Sequence, residues 1–305
     1  MPIRIDKLED LAVQDGSLHL ALGVFDGVHV GHQAVIKRTV DAAARDGGKS
    51  FVVTFSPHPI RVIAPEKAPA SLLATLDEKA AVVKALGVDG LLVIHFDMAF
   101  ASMAAEDFIR KICVGNVRTI AVGVDWRFGS NRSGDVAMLR KIGEELGFRL
   151  EAVQPVMWDG ERISSTRIRQ AIRDGSFAAA GEMLGRPYEL SGIVIEGRKL
   201  GRKIGFPTAN LRLGECQLPA DGVWAVKVDG SLNGVANLGM RPTVNGTERL
   251  LEVHLFDFCG DLYGKELRIR FVQFLRPEKK FGSVGELREQ IAKDAVLARR
   301  CFEGG

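Results

Sequence analysis

Apolar and polar positions follow two different rhythms along this chain. In the first part, short apolar runs alternate with stretches of helical spacing. HLALGVF at 19–25 reads as a strand ending in a glycine-rich turn. Between Gln33 and Arg45, Ala34, Val35, Val40 and Ala44 fall at helical spacing. SFVVTF (50–55), LLVIHF (91–96), TIAVGV (119–124) and FRLEAV (148–153) read as further strands, with helices over 76–86, 104–113 and 135–147. This β-α-β-α order predicts a parallel sheet covered by helices on both faces, a Rossmann-like α/β domain. In such sheets ligands sit at the carboxyl ends of the strands. Two short helices, at about 165–173 and 176–184, close this half.

After Gly185-Arg186-Pro187 the rhythm changes. Strand-like runs at 189–196, 223–228, 232–238, 250–258 and 267–274 are separated by turn residues, and only Ser283 to Phe302 reads as a helix. This predicts a small antiparallel β-barrel with one terminal helix. The expected domains are therefore residues 1–185 and 186–305.

Composition narrows the class. Apolar residues make up 46% and charged residues 26%, values of a globular protein, which excludes wholesale disorder. The net charge of +3 is too small to imply a nucleic-acid binder. No two of the four cysteines lie closer than 42 residues, so none has metal-ligand or redox spacing, and a reducing, cytoplasmic setting is expected. The amino terminus lacks a signal-peptide core and no run approaches the length of a membrane helix, so no membrane partner is expected.

Two constellations carry chemistry. The first is GVFDGVHVGH (23–32), joining the first strand to the first helix. Gly23, Gly27 and Gly31 let the backbone approach a ligand closely. His29 and His32 lead into a helix whose amino end offers free N–H groups, so both can donate to phosphate oxygens. His58, in TFSPHP after the second strand, could approach the same end of the sheet. A zinc site would need a third and usually a fourth ligand, which the spacing does not provide. Two further segments fit an anion site. ISSTRIR (163–169) offers the hydroxyls of Ser164, Ser165 and Thr166 and the forked donors of Arg167 and Arg169, with Ile168 and Ile172 placed for a core. VGVDWRFG (122–129) sets Asp125 and Arg127 beside Trp126 and Phe128 at another strand end.

The second constellation is GRKLGRKIGFPTANL (197–211). It is not a Walker A loop, but a basic glycine-rich loop with Gly197, Lys203 and Gly205 can wrap phosphates through backbone N–H groups. Thr208 and Asn210 offer neutral oxygens on one face of an extended segment, suited to Mg²⁺ when substrate phosphates bring the negative charge. In LEVHLFDF (251–258), Glu252 faces away from Leu251 and Val253 and could accept a proton from a hydroxyl, although spacing alone favours a solvated carboxylate on a half-exposed strand.

G-x-F-D-G-x-H-x-G-H resembles the HxGH signature of the nucleotidyltransferases, and its Phe25-Asp26-Gly27 variant resembles the adenylyltransferase half of prokaryotic FAD synthetases. The second constellation, followed by PADGVWA, GVANLGMRPT, LEVHLFD and DLYGK, resembles riboflavin kinase in that family's order. The resemblance runs from about Gly23 to about Arg299. It implies phosphorylation of riboflavin by ATP to FMN, then adenylylation of FMN by a second ATP to FAD and pyrophosphate, with Mg²⁺. It assigns Gly23, Phe25, Asp26, Gly27, Gly31, His58, Asp125, Arg127, Ser164, Ser165 and Thr166 to ATP or flavin binding in the first half. It implies that His29, His32 and Arg167 stabilise charge in the transfer. In the second half it assigns Gly197, Lys203, Gly205, Phe206 and Pro207 to nucleotide or flavin, Thr208 and Asn210 to Mg²⁺ and phosphates, and Glu252 to the base. Val124 stands where the family usually has an acidic residue, and Trp126 where Phe is common. The rivals are an adenylyltransferase for another phosphate, such as phosphopantetheine or nicotinamide mononucleotide, and a flavin-binding protein without ATP turnover.

Overall fold

The computed structural model describes residues 3–69, 71–197, 200–243 and 246–303. Arg198 and Lys199 of the basic loop lie outside the described residues. The chain forms two compact units, Met1–Ser165 and Thr166–Gly305.

The first unit is built on a six-stranded sheet of β1 (Ile3–Ile5), β2 (Leu18–Leu22), β3 (Lys49–Ser56), β4 (Gly90–His95), β5 (Val117–Gly123) and β6 (Arg149–Val153). The order is β1-β4-β3-β2-β5-β6 and every pair is parallel. β2 is buried along its whole length. Leu18, Leu20 and Leu22 pack into one core with Ile109, Ile112 and Leu139, while Ala21 packs into a second with Val35, Ile36 and Val83. That two-faced burial is why these strands read as continuous apolar runs rather than alternating ones. From β2 the chain steps to β3 on one side, and later to β5 on the other. The carboxyl end of β2 is therefore the switch point of the sheet, where such folds open a crevice for ligands.

A two-stranded hairpin, β7 (Met157–Trp158) and β8 (Glu161–Arg162), follows the sheet. Neither the hairpin nor β1 is signalled by sequence pattern, because two or three residues show no period. The first strand stops at Leu22 rather than running to residue 25: Phe25 takes a left-handed φ of 51°, which strand pairing does not allow.

The second unit closes a barrel in the order β10-β13-β12-β11-β14-β9, antiparallel throughout. Its strands are β9 (Leu190–Ile195), β10 (Ala209–Leu213), β11 (Gly222–Val228), β12 (Leu232–Thr243), β13 (Gly246–Leu255) and β14 (Glu266–Arg276). β10 belongs to the stretch the sequence left merely extended, and it completes the closure. The terminal helix, Val284–Arg300, packs through Ala298 against Val223, Val235 and Phe256.

The sequence expectation placed the two short helices with the first domain, up to residue 185. By packing they fall in the second unit, apart from Ser165. Phe177 stacks on Phe271 at 5.6 Å and meets Trp224 edge-on, and Gly175 lies against the same indole. The aromatic surface of the barrel thus holds the helix Phe177–Leu184.

Candidate active sites

The turn at the switch point is built under constraint. Phe25 and Val28 both hold positive φ, 51° and 43°. For a β-branched residue such as Val28 that is a strained backbone, of the kind that gathers at functional sites. A Cβ on Gly23 would meet the Phe25 ring at 2.9 Å, so glycine is required for that ring to fold back. Phe25 then meets His32 edge-on at 5.3 Å. Asp26 is buried, and its carboxylate accepts the Leu73 N–H at 2.9 Å, tying the turn to a distant loop. Its carbonyl accepts the Ser165 hydroxyl at 3.1 Å.

His29 caps the helix Val30–Asp46: its Nδ1 accepts the His32 N–H at 3.3 Å. An Nδ1 that accepts carries no proton, so the neutral ring keeps its one proton on Nε2. The His29 and His32 rings stack, centroids 3.5 Å apart and planes 18° apart. Burial, with the Arg162 charge adding to it, pushes His29 down to about 4, and burial beside His29 pushes His32 well below its usual range. Both imidazoles are therefore neutral at pH 7. The Nδ1 atom of His32 is buried and without a partner.

The remaining predicted residues fall into three groups. His58 caps the short helix Pro59–Ile63, accepting the Ile60 N–H at 3.3 Å. Asp125 pairs with Arg162, whose hydrogen bond holds its carboxyl below the usual range, and Arg127 reaches Asp135 at 3.0 Å. Trp126 and Phe128 stack on each other at 4.5 Å and lean on Phe108, so in this structure those rings serve the core. Ser164 precedes and Ser165 opens the helix Ser165–Arg173, with Ile168 and Ile172 buried as expected. Thr166 and Arg167 follow on that helix, within the second unit. Sequence reasoning missed Arg162 and Lys79. Arg162 stands alone on a two-residue strand. Lys79, buried in the helix Leu76–Ala85, donates to the Val24 carbonyl at 2.8 Å.

In the second unit a cavity of about 470 Å³ opens beside the barrel wall. Strand register explains what lines it. Asn210 on β10 stands opposite Glu252 on β13, which stands opposite Asn237 on β12. The next row, Leu211, Leu251 and Leu238, is fully buried. The two-residue period of a strand therefore sends the polar row into the cavity and the apolar row into the barrel. Thr208 and Gly197 line the same space. A Cβ on Gly197 would collide with the Asn210 amide, so only glycine leaves that amide its place. Val223, Val235, Leu287 and Ile291 form an apolar side, with Phe281 at the rim.

Glu252 accepts Arg241 Nε at 3.1 Å, and Arg241 Nη1 also donates to Glu278 at 2.9 Å. Asn237 donates to Glu278 at 3.2 Å and keeps a buried, unpartnered Oδ1. His254 Nδ1 donates to the Pro207 carbonyl at 2.8 Å, and its ring meets Phe206 edge-on. His254 thereby fixes the backbone beside Thr208, just ahead of the strand that carries Asn210. Of the predicted kinase residues, Gly197, Thr208, Asn210 and Glu252 meet at the cavity. Phe206 and Pro207 support it through His254, while Lys203 and Gly205 stand on the exposed turn before them. Arg241 and Asn237 were missed as site residues. Each sits within a recognised motif, but only the register reveals that Asn237 shares a row with Glu252.

One sheet presents a helix-capping imidazole with a second stacked on it at its switch point, and one barrel sets a carboxylate across from neutral oxygens. Such a chain is a two-site enzyme of nucleotide phosphates. A family model described as FAD synthetase matches residues 12–167, and one described as riboflavin kinase matches residues 184–302. A bifunctional riboflavin kinase/FMN adenylyltransferase of Escherichia coli is 43% identical, over 95% of this chain and 94% of that protein. A protein of the same description from Listeria monocytogenes is 38% identical over 99% of this chain and 96% of its own length. A crystal structure of a Streptococcus pneumoniae protein named as a macrolide-efflux protein superposes with a TM-score of 0.83, at 34% identity, covering 98% of each chain. That name is said of that protein alone. The chain belongs to the bifunctional riboflavin kinase/FMN adenylyltransferase family. No helix among the described residues is long and apolar enough to cross a membrane.

Proposed function

We propose that the chain makes FMN from riboflavin and ATP in its barrel, and then FAD from that FMN and a second ATP in its parallel-sheet domain. Residues 186–305 carry the kinase and residues 1–185 the adenylyltransferase. The observation that carries this reading is the row Asn210–Glu252–Asn237 facing one cavity, on a chain whose other unit caps a helix with His29 and stacks His32 upon it.

In the kinase step, Glu252 takes the proton of the riboflavin 5′-hydroxyl as its oxygen attacks the γ-phosphorus of ATP, and ADP leaves. The apolar side formed by Val223, Val235, Leu287 and Ile291 suits the flavin ring. Arg241 holds the Glu252 carboxylate until the hydroxyl arrives. Thr208 and Asn210 line the cavity with neutral oxygens, a donor set that suits a hard cation whose charge is met by phosphates. Mg²⁺ bound there would offset phosphate charge.

In the second step an FMN phosphate oxygen attacks the α-phosphorus of ATP and pyrophosphate departs. The nucleophile is already ionised near neutral pH, so no strong base is needed. His29 Nε2–H, His32 and the free N–H groups of the helix start stabilise the charge that develops. Burial holds both rings below their usual range, so the role proposed for them is hydrogen-bond donation from a neutral ring. The wide spacing of the four cysteines supports a reducing, cytoplasmic setting.

A chromatographic time course with riboflavin, ATP and Mg²⁺ tests this. FMN rising first and FAD following is expected. FMN without FAD would move the parallel-sheet domain to another phosphate acceptor. Neither product, from folded protein that binds flavin, would overturn both assignments.

A further inference from the structure

Lys79 is only 7% exposed, and its ammonium rests on two neutral oxygens. It donates to the Val24 carbonyl at 2.8 Å and to Thr54 Oγ1 at 3.1 Å. Thr54 donates to the same Val24 carbonyl at 2.8 Å. Burial brings the lysine down to about 8, against the pull of the Asp26 carboxylate. A methionine of similar length would fill this space without the cost of desolvating a cation, so packing alone does not account for the charge. Its place does. Val24 is the residue between Gly23 and the left-handed Phe25, and the Lys79 charge is felt at His32. The titratable groups acting on it are Asp26 in the turn and His32 in the helix Val30–Asp46, with Val24 and Thr54 contributing only neutral oxygens.

We propose that Lys79 is a positioning residue for adenylyl transfer: it pins the Val24 carbonyl, and with it the Gly23–Gly27 turn, and it sets a positive charge that acts on His32, at the turn to which the proposed function assigns the nucleotide phosphates. The inference rests on the adenylyltransferase reading. It adds a buried cation to a site whose histidines are neutral.

The test compares wild type with Lys79→Met, measuring FAD formation from supplied FMN and ATP, and FMN formation from riboflavin in the same preparation. FMN formation controls for the preparation and the second unit, and a thermal melt for folding of the first unit. Lys79→Met is expected to lower kcat for FAD formation by about 30-fold or more, as loss of a preorganised electrostatic contact does. FMN formation should stay within about twofold. A purely structural lysine would lower the melting temperature but leave the rate per folded molecule unchanged.

The pH profile supplies a second readout. Lys79 loses its charge as pH rises through about 8, yet a neutral amine keeps N–H groups for Val24 and Thr54. Wild-type FAD formation should therefore fall through that range, and the fall should be absent from Lys79→Met. A folded Lys79→Met enzyme with wild-type FAD kinetics overturns the proposal. If that variant does not fold, a wild-type rate that stays flat to about pH 9.5 overturns it. Wild-type protein that makes FMN but no FAD would instead overturn the adenylyltransferase reading.

Discussion

Replacing Glu252 with glutamine removes one proton acceptor from the kinase cavity and keeps its volume. The structure bounds what else changes. Arg241 loses an ionic partner at 3.1 Å but retains Glu278 at 2.9 Å. A glutamine oxygen can still accept from Arg241. The Arg241 and Glu252 side chains are 27% and 32% exposed, so water screens the lost pair. The stability cost is therefore about 0.5–1 kcal/mol, that of a partly solvated ion pair. The activity cost is of another order. A general base contributes about 10²–10⁴ in rate, which raises the barrier by about 3–5.5 kcal/mol. The assay is initial-rate FMN formation with ATP and Mg²⁺, beside FAD formation from supplied FMN. Glu252→Gln should lower kcat of the first by that factor and leave the second within about twofold. A variant that forms FMN within about tenfold of wild type would refute the role of Glu252 as base. Loss of both reactions from folded protein would refute the independence of the two sites.

Three further outcomes follow from particular contacts. An alanine at Gly31 would place its Cβ 3.1 Å from His29 Cε1 and 3.2 Å from Nδ1, so the imidazole must shift. Gly31→Ala should cut FAD formation about tenfold while the melting temperature holds or rises, because alanine favours a helix over glycine by about 1 kcal/mol. A lower melting temperature with intact kinetics would contradict this. Asp294, 2% exposed, receives Arg276 at 2.9, 3.1 and 2.6 Å. Asp294→Ala should reduce urea stability by about 2–4 kcal/mol, since it strands a largely buried guanidinium; unchanged urea stability would count against that pairing. Finally, His29 falls from its ordinary 6.5 to about 4 in the folded chain. Between those values the unfolded chain binds a proton that the folded chain does not, so stability declines as pH drops from 6.5 toward 4. His29→Asn should flatten the plot of melting temperature against pH over that window, and an unaltered slope would assign the acid sensitivity elsewhere.

The switch-point sheet and the barrel were both legible in the sequence, because long buried strands and alternating ones leave different hydrophobic periods. The GVFDGVHVGH turn and the P-T-A-N strand were legible for a second reason: glycine, histidine and short polar residues cluster there with no packing need for them. Spacing could place Glu252 on a strand face, but not say whether that face met solvent or a ligand. The register did, by setting Asn210 and Asn237 on either side of it around a cavity. Trp126 and Phe128 show the opposite case. Local sequence made them equally fit for a ligand or the core, and Phe108, distant in the chain, decides for the core. Two short helices near residue 175 read as the end of the first half, and Phe177 packing on Trp224 and Phe271 joins them to the second unit. Sequence by itself determined what each segment could become, since period, glycine placement and side-chain chemistry are local. Tertiary structure alone decided which charges are buried together. Lys79 beneath the turn and Arg241 between two glutamates depend on contacts between residues far apart in the chain, which no local pattern encodes.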